Sequence, residues 1–220
     1  MTSWHTLACG LVALSIPPAP AAAQAVVPMP PFRSVEVRNG GHAIIRYGPT
    51  QRVTVLKGDP DDAQITIASG DVLVIDKCKD KCAHRYELEV EIVTPEVARL
   101  TQAHGGWIQS RGSFPRQADL TVTVEHGGTI DIRSMSVASL TASVLQGGRI
   151  LAKPLTEIVA RVEQGGNITY WGDARVTQSI EHGGVIVRGS PSDADEPLFE
   201  SDQAIAPVPP VPPIPPTRNP

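Results

Sequence analysis

Five times the chain reads His or Gln, then Gly-Gly, then any residue, then Ile. The copies are His104-Gly105-Gly106-Trp107-Ile108, His126-Gly127-Gly128-Thr129-Ile130, Gln146-Gly147-Gly148-Arg149-Ile150, Gln164-Gly165-Gly166-Asn167-Ile168 and His182-Gly183-Gly184-Val185-Ile186. Their first glycines are 22, 20, 18 and 18 residues apart. A near-constant short period is the mark of stacked structural units. A Gly-Gly step makes a tight corner, because residues without a Cβ reach positive φ at little cost.

Alternation places strands on both sides of each corner. Before the pairs one parity reads Leu120, Val122, Val124, then Leu140, Ala142, Val144, then Ile158, Ala160, Val162. After them come Ile130 and Ile132, Ile150 and Ala152, Ile168 and Tyr170. Only 4% of the chain is aromatic, so the core is built from small and β-branched residues. Two short strands per repeat predict an all-β fold whose coils stack in parallel. That is a β-solenoid, or parallel β-helix, of about five coils over one continuous core. The competing arrangement is a string of antiparallel hairpins with Gly-Gly turns, as in a sandwich or barrel.

The first third lacks the period. Residues 32–38, 43–47, 52–56, 64–68, 72–76 and 86–93 read as strands, punctuated by Gly40, Gly48-Pro49, Gly58-Asp59-Pro60 and Gly70-Asp71. Asn39-Gly40-Gly41 echoes the repeat, but Ile44 and Ile45 fall out of register with it. The expectation is an antiparallel cap over 32–94 that shields the terminal strand edge of the coils at 97–189. No linker separates the two parts, so 26–189 reads as one domain.

The two ends differ in kind. Residues 1–25 contain no Lys, Arg, Asp or Glu, and Thr6 to Ile16 is an apolar run followed by Pro17-Pro18-Ala19-Pro20. Small-x-small cleavage positions follow at Ala23 and Ala25, so the segment reads as a signal peptide without the usual basic start. Cys9 lies too early in the apolar run for a lipoprotein anchor. From Ser190 onward there are five acids (Asp193, Asp195, Glu196, Glu200, Asp202) and one base, Arg218, which account for the whole formal charge of -4. The chain closes with the Pro-rich run 207–216, whose composition favours an extended, disordered tail usable as a spacer or docking peptide. So mild a charge excludes a nucleic-acid binder that works by bulk charge. No apolar run reaches the length of a membrane helix, about 20 residues.

The run Phe32-Arg-Ser-Val-Glu-Val-Arg-Asn-Gly, the strand ending Leu73-Val-Ile and the Gly-Gly-x-Ile corners together resemble the putative auto-transporter adhesin, head GIN domain family. The stretch Gly165-Gly-Asn-Ile-Thr-Tyr-Trp-Gly172-Asp-Ala-Arg-Val176 is the most specific part, and the resemblance spans residues 32–189. It departs from that family's Ser-Gly-Ser-Gly corners, which here are His/Gln-Gly-Gly. The resemblance implies an exported β-helical domain with an adhesive role, and it supplies no catalytic residues.

Stacking gives each repeat position a ladder, with neighbours about 4.8 Å apart. The residue before each glycine pair forms the ladder His104, His126, Gln146, Gln164, His182. His104 and His126 are weak candidates for a shared metal; a hydrogen-bonded polar ladder is the competing reading. Glu163 and Glu181 adjoin on the outward ladder Ala103, Glu125, Leu145, Glu163, Glu181, at the spacing of a retaining glycosidase pair. No sequence feature builds a cleft around them, and the ladder Gln109, Asp131, Leu151, Thr169, Val187 holds one acid, too few for a calcium-dependent lyase.

Two further outward ladders, Arg99, Thr121, Thr141, Val159, Thr177 and Thr101, Thr123, Ser143, Arg161, Ser179, make a hydroxyl face. Thr121, Thr123, Thr141, Ser143, Thr177 and Ser179 are therefore the candidate binding residues for a repeating ligand such as a glycan. Strand propensity alone also favours Thr there. Cys78 and Cys82 flank Lys79-Asp80-Lys81 and read as a short disulfide in an oxidising compartment. A metal site with His84 and a pair of free thiols are the alternatives. Trp107, Tyr170 and Trp171 are the aromatics placed to stack on sugars or to pack.

The expected protein is an exported, adhesin-like binding module of the periplasm, outer surface or medium. No enzyme activity and no cofactor are expected. The partner is a glycan, cell-wall or surface ligand. The alternatives are a carbohydrate-active enzyme using Glu163 and Glu181, and a scaffold that acts through its Pro-rich tail.

Overall fold

The structure, a computed structural model, describes residues 24–78 and 87–195. The signal-peptide segment up to 23, Cys82, His84 and the Pro-rich run lie outside the described residues. The strands of the first third are β1 (Ala25–Val27), β2 (Ser34–Arg38), β3 (His42–Tyr47), β4 (Arg52–Lys57), β5 (Gln64–Ala68), β6 (Val72–Asp76) and β7 (Glu89–Thr94). The repeats supply β8 (Arg99–Ala103), β9 (Trp107–Arg111), β10 (Gln117–His126), β11 (Thr129–Asp131), β12 (Val137–Gln146) and β13 (Arg149–Ala152). They continue with β14 (Pro154–Gln164), β15 (Asn167–Tyr170), β16 (Arg175–Ile180) and β17 (Val185–Arg188), before a 3-10 turn at Pro191–Asp193.

The strands form two mixed sheets. Sheet A has nine strands in the order β1-β4-β7-β3-β9-β11-β13-β15-β17, and sheet B has eight in the order β16-β14-β12-β10-β8-β2-β6-β5. The sheets share one apolar core: Val122, Val124, Ala142, Val144, Ala160 and Val162 from B meet Ile130, Ile150, Ala152 and Ile168 from A. This is a sandwich-like fold and not the expected parallel β-helix with an antiparallel cap. Each repeat gives one strand to each sheet and no third wall, so no closed solenoid forms. The first third is no separate cap either: β2 pairs in parallel with β6 and β8, and β3 with β7 and β9, inside the two sheets. Antiparallel pairing is found at β1 with β4, β4 with β7 and β5 with β6. The hairpin alternative fails for a related reason. A Gly-Gly corner carries the chain from sheet B to sheet A, so each strand pairs with its counterpart in the next repeat.

The corners explain the glycine pairs. Gly148 has φ +101°, and a Cβ there would lie 2.5 Å from Val124 Cγ1 and 2.9 Å from the carbonyl oxygen of Gly128. That approach lets the Arg149 N–H donate to the Gly128 carbonyl at 2.9 Å, joining one corner to the next. Gly147 has φ +68° but open space where its Cβ would be, so it is needed for conformation alone. Asn39-Gly40-Gly41 belongs to the same stack, since Trp107 N–H donates to the Gly41 carbonyl at 3.3 Å. Ala43, not Ile44, takes the place of the repeat isoleucine opposite Ile108. That one-residue offset is why this corner looked out of register in the sequence.

Candidate functional site

The outward residues of sheet B build the predicted hydroxyl face. Thr121 pairs with Thr141, and Thr123 with Ser143, on β10 and β12. Val159 and Arg161 on β14 then separate these four from Thr177 and Ser179 on β16. Thr141, Thr177 and Ser179 are exposed, while Thr121, Thr123 and Ser143 are half-buried between neighbours. The face continues through Thr101 and Ser34, both buried, and Glu36. Every strand in it is hydrogen-bonded on both sides except the edge strands β16 and β5.

Glu163 and Glu181 are brought together, but around a cation. Arg161 binds Glu163 at 3.3 Å and Glu181 at 2.6 Å, and all three side chains are substantially exposed. Two carboxylates tied to one guanidinium on an open sheet are an ion triad with no water-excluding cleft. His104 and His126 stack with ring centroids 4.7 Å apart and planes 3° from parallel. Parallel rings point their nitrogens side by side rather than converging on a shared ion. Among the described residues, no group of three or more His, Cys, Asp or Glu could hold a metal. Of the two cysteines, Cys78 accepts its place beside Asp76, whose Oδ1 takes its N–H at 3.3 Å.

The aromatics are engaged in packing. Trp107 stacks on His42 with centroids 4.8 Å apart. Trp171 is buried and donates its Nε1–H to the Ser190 carbonyl at 2.8 Å, and Tyr170 packs against the core. The acidic segment begins against the same spot: Arg133 donates to the carbonyls of Asp193 (2.9 Å) and Ala194 (3.3 Å), and Lys153 pairs with Asp195 at 2.5 Å. A cavity of about 690 Å³ opens here, lined by Lys153, Leu155, Trp171, Arg188 and Pro191.

The outer face of sheet A carries residues that the repeat reading missed. Glu91, between the core residues Val90 and Ile92, points outward yet is 5% exposed. Arg46 binds it at 2.8 Å and Arg52 stands 3.9 Å away. Asp131 accepts two bonds from the Arg133 guanidinium, at 2.9 and 2.7 Å, and a third from its backbone N–H at 3.1 Å, and both side chains are nearly buried. The Arg133 guanidinium also lies 5.4 Å from the Trp171 ring centre. Burial, reinforced by the neighbouring Arg46 charge, lowers the Arg111 pKa from its ordinary value. A signal was present in the sequence: two residues beyond Gln109, Asp131 and Leu151 stand Arg111, Arg133 and Lys153. Arg46 and Arg52 come from the non-repeating third, where no ladder could be read.

An all-β domain of two sheets with polar groups on their outer faces is thus on view. Residues 31–153 match the family described as putative auto-transporter adhesin, head GIN domain, and the chain belongs to that family. Among solved structures, a putative adhesin from Parabacteroides distasonis ATCC 8503 is similar, at 11% identity and TM-score 0.45, over 76% of this chain and 96% of that one. A putative adhesin from Bacteroides fragilis NCTC 9343 is similar at 14% identity and TM-score 0.39, over 76% and 95%. A putative cell adhesion protein from Clostridium sporogenes ATCC 15579 is similar at 12% and 0.36, over 76% and 98%. Among curated proteins none matches. Among the described residues, no helix is long and apolar enough to cross a membrane.

Proposed function

We propose that this chain is a non-catalytic binding module, exported to the cell envelope or surface, that engages a glycan or cell-wall ligand through the outer face of sheet B. The observation that supports this most is the register of Thr121 with Thr141 and Thr123 with Ser143 on neighbouring hydrogen-bonded strands. Such a face offers a regular grid of hydroxyl donors and acceptors to a repeating ligand. Family membership favours an adhesive role. We assign residues 1–25 to a signal peptide, 26–189 to the binding domain and the remainder to an acidic, Pro-rich tail. Cleavage after Ala25 would remove the first residue of β1, which pairs with Val55, whereas the other cleavage position, after Ala23, would leave that strand whole. Cys78 and Cys82 are assigned as a disulfide.

The test is co-sedimentation of the mature protein with isolated cell-wall polymer and with intact cells, beside a version ending at Asp195. The expected result is that both pellet, and that Thr121→Ala combined with Thr141→Ala and Ser143→Ala weakens pelleting at least about five-fold, roughly 1 kcal/mol. If only the long version pellets, the tail is the functional element; if neither does, the adhesive reading falls.

A further inference from the structure

The repeats stop at β16 and β17 while their core rows are still apolar. Val124, Val144 and Val162 stand in register on β10, β12 and β14, each at 0% exposure, and Ile180 continues that row on β16 at 44%. β16 is an edge strand of sheet B among the described residues. Edges are usually blunted by proline, lysine or a bulge. Arg175–Ile180 has neither residue and pairs with β14 without a register shift. The Glu181 N–H donates back to the Val162 carbonyl at 3.0 Å, and backbone groups alternate along a strand. Val176, Gln178 and Ile180 therefore turn their N–H and C=O groups to the open edge. Such an edge is a template for another strand.

We propose that β16 pairs antiparallel with β16 of a second copy of this chain, about a two-fold axis at Gln178. The stretch Arg175-Val-Thr-Gln-Ser-Ile-Glu181 is chemically palindromic about that residue. Arg175 then faces Glu181 of the second copy, Val176 faces its Ile180, Thr177 faces its Ser179, and Gln178 meets itself. In that register every edge-directed residue is opposite another, as antiparallel hydrogen-bonded pairs require. Opposite charges, apolar pairs and hydroxyl pairs across two strands are each favourable. Arg161 takes Oε1 of Glu181, and Oε2 is left for the second copy's Arg175. A slip of the register loses both ion pairs. The contact closes on itself, so it yields a dimer and not a filament. The Pro-rich run 207–216 cannot take this place, since proline has no N–H to donate. The edge of sheet A, β17, reads Val-Ile-Val-Arg and has no such symmetry, so the contact is assigned to sheet B. The pairing needs no ligand and stands or falls apart from the function proposed above.

The experiment is analytical ultracentrifugation of the full mature chain from about 5 to 500 µM. A reversible monomer–dimer equilibrium is expected. Arg175→Glu and Glu181→Arg, each checked for folding by circular dichroism, are each expected to weaken it about ten-fold, because like charges then face each other. An equimolar mixture of the two variants is expected to dimerise as well as the parent, since each edge then meets its opposite charge. Gln178→Pro, which removes an edge-directed N–H that the single copy does not use, is expected to leave only monomer. A parent that stays monomeric, growth beyond a dimer, unchanged dimerisation in both charge variants, or a mixture of folded variants that fails to associate would each overturn the proposal. The third of these would place the contact elsewhere on the chain.

Discussion

The outer faces of the two sheets are built from the same corners and the same strand spacing, yet they handle charge in opposite ways. On sheet B Arg161, one strand in from the edge, sits among exposed acids, its side chain 50% accessible. On sheet A the side chains of Asp131 and Arg133 are 5% and 9% accessible, and Glu91 lies under two arginines. An exposed pair contributes little, whereas removing one partner of a buried pair strands the other charge out of water. The charges on sheet B's face therefore add little to stability, while those on sheet A's face are part of what holds the molecule together.

The largest expected effect would break both faces at once. Gly148→Ala places a Cβ against Val124 and the Gly128 carbonyl at φ +101°, and should destabilise by about 4 kcal/mol in urea unfolding. Gly147→Ala, with open space around it, should lose only about 1 kcal/mol. Equal losses at the two positions would show that corner stacking is not what the second glycine serves.

Next, Asp131→Ala should lower stability by about 3 kcal/mol, because Arg133 is left nearly buried without its carboxylate. The same unfolding measurement on Thr141→Ala should move by less than about 0.5 kcal/mol. A comparable loss at Thr141 would abolish the contrast between the faces.

A smaller effect concerns His42, on sheet A's outer face against Trp107. Burial, and then the nearby Lys77 charge, lower its pKa below the ordinary 6.5. A base with a folded pKa below its unfolded one binds protons more readily when unfolded. Its contribution is thus complete above about pH 6.5 and is lost as pH falls through that value toward the folded pKa. Melting temperature should fall between about pH 7.5 and 5.5 less steeply in His42→Gln than in the parent. An identical slope would show that the stacked imidazole is not shielded. The smallest change is expected for Arg161→Gln, within about 0.5 kcal/mol, since its partners are exposed.

Much of sheet B was legible beforehand. The hydroxyl ladders appear with the strand partners that their spacing implied, because side chains alternate with period two and the repeats differ in length only at the turns. Of the six strands expected in the first third, five were placed to within two residues, from β-branched runs between glycine and proline punctuation, while β1 was not foreseen. The cations of sheet A's outer face were legible only in part: Arg111, Arg133 and Lys153 stand two residues beyond one ladder, but Arg46 and Arg52 are distant in sequence and join them only through the pairing of β4 with β7 and of β3 with β7 and β9.

The sequence by itself determined that this is an all-β chain with glycine corners, a core of small and β-branched side chains and hydroxyl rows on one side. Those are properties of local conformation and of side-chain period. Tertiary structure decided that the repeats form two mixed sheets facing each other, because strand number per repeat and the docking of the first third are set by long-range pairing. It also decided that Asp131, the one acid of its ladder, and Arg133 two residues on close a nearly buried ion pair. The cover over that pair comes from Trp171 and from the carbonyls of Asp193 and Ala194. Burial of this kind depends on what lands on top of a strand, and no period along the chain encodes it.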